Sequence, residues 1–105
     1  MLSPRFRFAA LCAAALLPLL VLGAQQEGYI NIEIINDSHN DRHIRVIDNI
    51  CQLMVLERRL VGDGRIPAQV CAGPMRRGDI TMVNLETGTE QRYQNFLNGD
   101  RLNAP

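Results

Sequence analysis

Beyond residue 24 the chain holds two cysteines, Cys51 and Cys71, placed 20 positions apart. In an exported chain such a pair implies a disulfide, and that bond restricts the fold. The residues between them include Gly62-Asp63-Gly64, so the simplest arrangement is a hairpin turning at Asp63-Gly64. In that register Cys71 falls opposite Leu56. Cys51 would then lie five residues further along, or about 17 Å at normal strand rise. Disulfide-bonded Cα atoms come within about 7 Å of each other. A regular hairpin and a disulfide are therefore incompatible. The two segments lie in different sheets, or a bulge shifts their register, or residues 49–61 form a helix.

The premise of export rests on the N-terminus. Arg5 and Arg7 precede an apolar run, FAALCAAALLPLLVL at 8–22, and Gly23, Ala24 and the polar QQEG follow. That is the layout of a secretory signal peptide over residues 1–24. Its removal takes Cys12 with it and leaves 25–105 as a single small β-rich domain, periplasmic or secreted. Retention would instead make 1–24 an N-terminal anchor. The run is short for a membrane span, which needs about 20 apolar residues, and Pro18 interrupts it. After cleavage no stable span remains.

A domain of this size has a small core and gains from a staple. Closing the loop between Cys51 and Cys71 is worth roughly 3 kcal/mol in the chain-entropy model. Residues 25–105 carry nine Arg against eleven Asp and Glu, a formal charge of −2, with no lysine. No clustered basic face points to nucleic acid.

Alternation of apolar and polar residues predicts a mainly β fold. In YINIEIIN, 29–36, Ile30, Ile32 and Ile34 share one face. HIRVID, 43–48, alternates again, and the two runs make a candidate hairpin across the turn formers of 36–42. GDITMVNLETGTEQRYQNF contains a second. With a two-residue loop at Thr87-Gly88, Glu86 pairs with Thr89, Met82 with Tyr93 and Ile80 with Asn95. Leu102 anchors a short last strand after the Asn98-Gly99 turn. Pro67 lacks an N–H for a ladder, so 65–71 belongs at a sheet edge or carries a bulge.

The stretch 48–64 reads two ways. As a strand, Cys51, Leu53 and Val55 share a face. As a helix, Asn49 caps it, Gln52 completes a capping box and Gly62 follows its end. The expected architecture is a disulfide-stapled β-sandwich or partly open barrel of six to seven short strands. The alternative is one helix at about 49–61 packed on an antiparallel sheet. The core is expected from Ile30, Ile32, Ile34, Ile44, Val46, Leu53, Val55, Ile66, Val70, Ile80, Met82 and Tyr93.

Chemical motifs are sparse. His39 and His43, with Met54, Met75 or Met82, are candidate copper ligands, but their spacing falls in a loop-to-strand stretch. Asp37-Ser38-His39-Asn40-Asp41 is oxygen-rich without the Gly and Glu of an EF-hand. Ser38 is the sole serine beyond residue 24 and lacks a Gly-x-Ser-x-Gly context. Arg77-Gly78-Asp79 resembles the adhesion tripeptide of integrin ligands, on an expected turn. Asn36-Asp37-Ser38 is a glycosylation sequon. No catalytic residue, cofactor or resident metal is expected, and Cys51 and Cys71 are the only residues assigned a bond.

The functional expectation is a non-enzymatic exported binding module. It would contact another protein or an envelope component, as an inhibitor-like or accessory subunit. The alternative is a periplasmic metal-handling protein using His39, His43 and a methionine. A small hydrolase would have to rely on Ser38, His39 or His43.

Overall fold

A computed structural model of the protein describes residues 26–105. The expected signal peptide at 1–24 lies outside the described residues. Seven strands follow in order: β1 Tyr29–Ile35, β2 Arg42–Asp48, β3 Leu53–Leu60, β4 Arg65–Cys71, β5 Gly78–Asn84, β6 Glu90–Phe96 and β7 Arg101–Asn103. A 3-10 turn, Pro74–Arg76, connects β4 to β5. The strands form two sheets, β4-β1-β7 and β3-β2-β5-β6, and no closed barrel.

The mainly β expectation holds, and the helix at 49–61 does not form. Asp48 ends β2 and folds its side chain over the turn, where Oδ1 accepts the N–H of Ile50 and of Cys51. This Asx turn takes the place of an Asn49 helix cap. Gln52 closes the turn in the left-handed region, at φ 55°. The chain then runs back along β2 as β3, with Asp48 opposite Leu53 and Arg42 opposite Leu60. Good helix formers such as Leu, Met, Glu and Arg thus occupy a strand, because pairing with a buried neighbour outweighs local propensity.

Two expected pairings are corrected. β1 and β2 do not form a hairpin. β1 pairs antiparallel with β4 and parallel with β7, while β2 pairs with β3 and β5. The hairpin of β5 and β6 exists, but its register differs by two residues: Ile80 lies opposite Tyr93 and Met82 opposite Gln91. The loop spans four residues because Asn84 turns the chain. Its Oδ1 accepts the N–H of Glu86 and of Thr87, and its N–H donates to Thr89 O. A shift of two leaves every side chain on its expected face.

The inward faces of both sheets meet in one core. It comprises Ile30, Ile32 and Ile34 of β1, Ile44 and Val46 of β2, Ala68 and Val70 of β4, and Ile80 and Met82 of β5, closed by Leu60, Ala72, Phe96, Leu102 and Ala104. Val55, Ile66 and Tyr93 are only partly buried against it. Leu53 is exposed, contrary to expectation, because it opens an edge strand at the rim.

Each edge is blunted against further pairing. β4 carries Pro67 at its centre, opposite Glu33, as its missing N–H demands. β3 bulges at Val55, where Val46 pairs with Leu56 and Ile47 with Met54. β6 bulges at Asn95, whose φ is 61°. β7 is three residues long.

Among the described residues three polar side chains are buried, Asn36, Asp48 and Asn84, and all tie the sheets together. Each continues an inward-facing row after its last apolar residue, at Ile34-x-Asn36, Val46-x-Asp48 and Met82-x-Asn84. Asn36 Nδ2 donates to Leu60 O at 3.0 Å and Val61 O at 3.1 Å, joining the end of β1 to β3. Asp48 Oδ2 accepts the N–H of Cys71 at 2.7 Å, joining β2 to β4. Asn84 Nδ2 donates to Pro105 O at 3.1 Å, holding the chain just beyond β7. Every buried side-chain N or O among the described residues has a partner, as buried polar groups require. Tyr93 adds a further tie, its hydroxyl donating to Asn103 O at 2.6 Å. Burial raises the phenol pKa, with a smaller contribution from Asp37.

Candidate functional site

The disulfide defines one end of the molecule. Cys51 lies in the β2–β3 turn and Cys71 ends β4, with Cα atoms 6.1 Å apart. β3 and β4 belong to different sheets. Of the three escapes from the hairpin conflict, the protein uses the inter-sheet bridge. Asp48 lies beside it. One ligand atom each from Asp48, Cys51 and Cys71 falls within a 4.8 Å cluster, the only such trio of His, Cys, Asp or Glu among the described residues. With both sulfurs in the disulfide and both carboxylate oxygens accepting backbone N–H groups, the trio is a structural joint.

The same end gathers exposed apolar side chains. It is built from the start of β1, the β2–β3 turn, the end of β4, the Pro74–Arg76 turn and the end of β6, since Tyr29 pairs with Cys71 and Gly78 with Phe96. Six large apolar residues are exposed among the described residues: Tyr29, Leu53, Met54, Val61, Met75 and Leu97. Five of them belong to this end; Val61 alone lies at the other. Met75 is 77% exposed.

The loop bearing Met75 is held firmly. Gly73 N–H donates to Arg77 O at 2.8 Å, and Arg76 N–H donates to Gly73 O at 3.0 Å. Met75 and Arg76 both adopt the left-handed region, at φ 60° and 55°, a conformation that is costly for two consecutive non-glycine residues. The Arg76 guanidinium donates to Glu27 O at 2.8 Å and to Tyr29 O at 3.3 Å, tying the loop to the entry of β1. Beneath it Gly73 accepts the close approach of Ile50; a side chain there would meet Ile50 Cδ1.

The opposite end is charged. It displays Asp37, Asp41, Asp63, Glu86, Arg42 and Arg59, with His39. The His39 ring meets Asp63 at 2.8 Å, and this hydrogen bond, then the carboxylate charge, raises the His39 pKa. His43 is exposed on β2, and its backbone N–H donates to Glu86. Met82 is fully buried in the core, while Met54 and Met75 lie at the disulfide end. The candidate copper ligands are therefore distributed between both ends and the interior. Ser38 supports the loop, its hydroxyl lying within hydrogen-bond distance of both Asn36 Oδ1 and Asn40 O.

Two short motifs are structural here. Asn36 is fully buried with its Nδ2 committed to three carbonyls, so the folded chain offers no amide at this sequon. Arg77-Gly78-Asp79 is not displayed on a turn. Gly78 opens β5 beneath the Phe96 ring, and the Asp79 carboxylate is clamped by Arg92 at 2.7 and 2.9 Å and by Asn49. The Arg92 bond leads in holding the Asp79 pKa below its ordinary value.

Sequence reasoning located the disulfide but missed Asp48, Asn36 and Asn84 as connectors. Their signal is legible: an alternating apolar row whose next inward position is Asn or Asp. It also missed the segregation of exposed apolar groups, which sequence spacing does not encode. The fold and this end define a small two-sheet β protein with an inter-sheet disulfide. No family model, curated protein or solved structure matches the chain.

Proposed function

We propose that the protein is an exported, non-enzymatic binding module, and that it contacts another protein or an envelope component through its disulfide end. The observation that carries this reading is that five of the six large apolar side chains exposed among the described residues lie at the end of the molecule that holds Cys51–Cys71. Apolar groups concentrated on one face mark interaction surfaces. The Met75 loop suits an anchor, because a segment fixed before binding loses little freedom on docking. The described surface holds no pocket, so contact would be made by protruding side chains.

Photo-crosslinking in intact cells tests this reading. A photoreactive residue replacing Met75 should give a discrete adduct that the same residue replacing Val61 does not. Adducts at position 61 alone, or at neither position, would count against it. The metal-handling alternative has less support, since His39 is engaged by Asp63 and Met82 is buried.

A further inference from the structure

β6 is an outer strand of the four-stranded sheet. The bulge at Asn95 blunts its far end, but from Gln94 back to Glu90 its register on β5 is unbroken. The direction of its main-chain groups follows from β5. Asp79 O accepts the N–H of Asn49, and Leu85 N–H donates to His43 O, so the odd-numbered residues of β5 face β2. The even-numbered ones face β6, where Asn84 N–H donates to Thr89 O. Main-chain direction alternates along an antiparallel ladder. Gln91 and Tyr93, opposite Met82 and Ile80, therefore turn their N–H and C=O groups toward β5. Those of Glu90, Arg92 and Gln94 point outward, and among the described residues no group pairs with them.

Such an edge accepts a further strand, and the side-chain charges on it select which one. Glu90 is exposed and has no ion pair among the described residues. Arg92 holds Asp79 through Nε and Nη2, which leaves Nη1 unengaged. We propose that the protein forms a two-fold dimer in which β6 pairs antiparallel with β6 of a second copy, Gln91 opposite Gln91. In this register Glu90 of each copy lies opposite Arg92 of the other. The outward main-chain groups of these two residues then exchange hydrogen bonds, and their unlike charges meet on one face of the sheet. Sliding the register by two residues sets Glu90 against Glu90 or Arg92 against Arg92, so charge selects one alignment. A patch that complements itself in this way is what a two-fold contact requires.

The other edges do not offer it. Pro67 interrupts β4, β7 has three residues, and Leu60 O on β3 is taken by Asn36. On β3 the alignment that sets Glu57 against Arg59 also sets Arg58 against itself. Pairing through β6 joins two four-stranded sheets into one. The paired strands run in opposite directions, so the two disulfide ends face away from each other. The dimer goes beyond the docking reading and does not depend on it. One short strand pair is a small contact, so exchange between monomer and dimer is expected.

Opposite residues whose main-chain groups point away from each other have Cα atoms about 4.5 Å apart, within the disulfide limit of about 7 Å. Gln91→Cys, purified and equilibrated in glutathione buffer, should form a disulfide-linked dimer on non-reducing electrophoresis, and Arg58→Cys on the β3 edge should not. Adding Glu90→Arg to Gln91→Cys should lower the linked fraction roughly tenfold, because both attractive pairs become repulsive. Mixing that variant with Gln91→Cys carrying Arg92→Glu should restore linkage between the two chains. Far-UV circular dichroism would verify each fold, and sedimentation equilibrium of the unaltered protein should show reversible dimerisation. Monomer at every concentration, equal linkage at 58 and 91, or linkage indifferent to Glu90→Arg would overturn the proposal.

Discussion

Asp48 Oδ2 accepts the backbone N–H of Cys71 at 2.7 Å, a buried bond between β2 of one sheet and β4 of the other. The other oxygen turns the chain toward Cys51, so one carboxylate positions both cysteines. In Asp48→Asn one acceptor oxygen becomes an NH2, so donor faces donor either at the Cys71 N–H or at the N–H groups of Ile50 and Cys51. The expected loss is roughly 1–3 kcal/mol, the cost of an unsatisfied buried group. Urea unfolding with the disulfide intact should show it as a lower midpoint.

The disulfide should act as a staple on the whole molecule. Its reduction, or Cys51→Ala with Cys71→Ala, should remove roughly 3 kcal/mol. Thiol alkylation of the native protein should label neither Cys51 nor Cys71, and labelling of both should follow reduction. Full labelling before reduction would contradict the bond.

Gly78 should tolerate no side chain. A Cβ there would fall within the Phe96 ring and against Ile30. Gly78→Ala must displace a core aromatic, at a cost of about 1–3 kcal/mol. Asp79→Asn, by contrast, should leave the core intact and loosen Arg92. Thermal unfolding of the two variants side by side separates core crowding from loss of the motif's charge.

The charged pairs give opposite pH dependences. The His39 pKa is raised by its hydrogen bond to Asp63, so this pair favours the fold below the ordinary imidazole value. That contribution fades as pH rises through the folded value. The Asp79 pKa is lowered by its bond to Arg92, so this pair favours the fold above the ordinary carboxylate value. Its contribution fades as pH falls through the folded value. Both effects are small because His39 and Arg92 are exposed to solvent. Nuclear magnetic resonance titration should show the His39 midpoint falling in Asp63→Asn and the Asp79 midpoint rising in Arg92→Gln.

The sequence by itself determined the class of fold and most of its core. Alternation at Ile30, Ile32 and Ile34, at Ile44 and Val46, and at Ile80 and Met82 identified buried faces, because a strand's side-chain period is local. Pro67 marked an edge or a bulge, since a missing N–H is a property of the residue, and the fold uses the edge. The spacing of Cys51 and Cys71 made a disulfide and a simple hairpin incompatible by distance. Only the tertiary structure decided the partners. β1 pairs with β4 and β7 instead of β2, because pairing depends on which faces can share one core. The same assembly made 53–60 a strand and left Leu53 exposed at the rim. It also set Tyr29, Leu53, Met54, Met75 and Leu97, residues up to 68 positions apart, on one end of the molecule. That apolar end arises from the folding of four separate segments against one disulfide, and no local pattern in the chain records it.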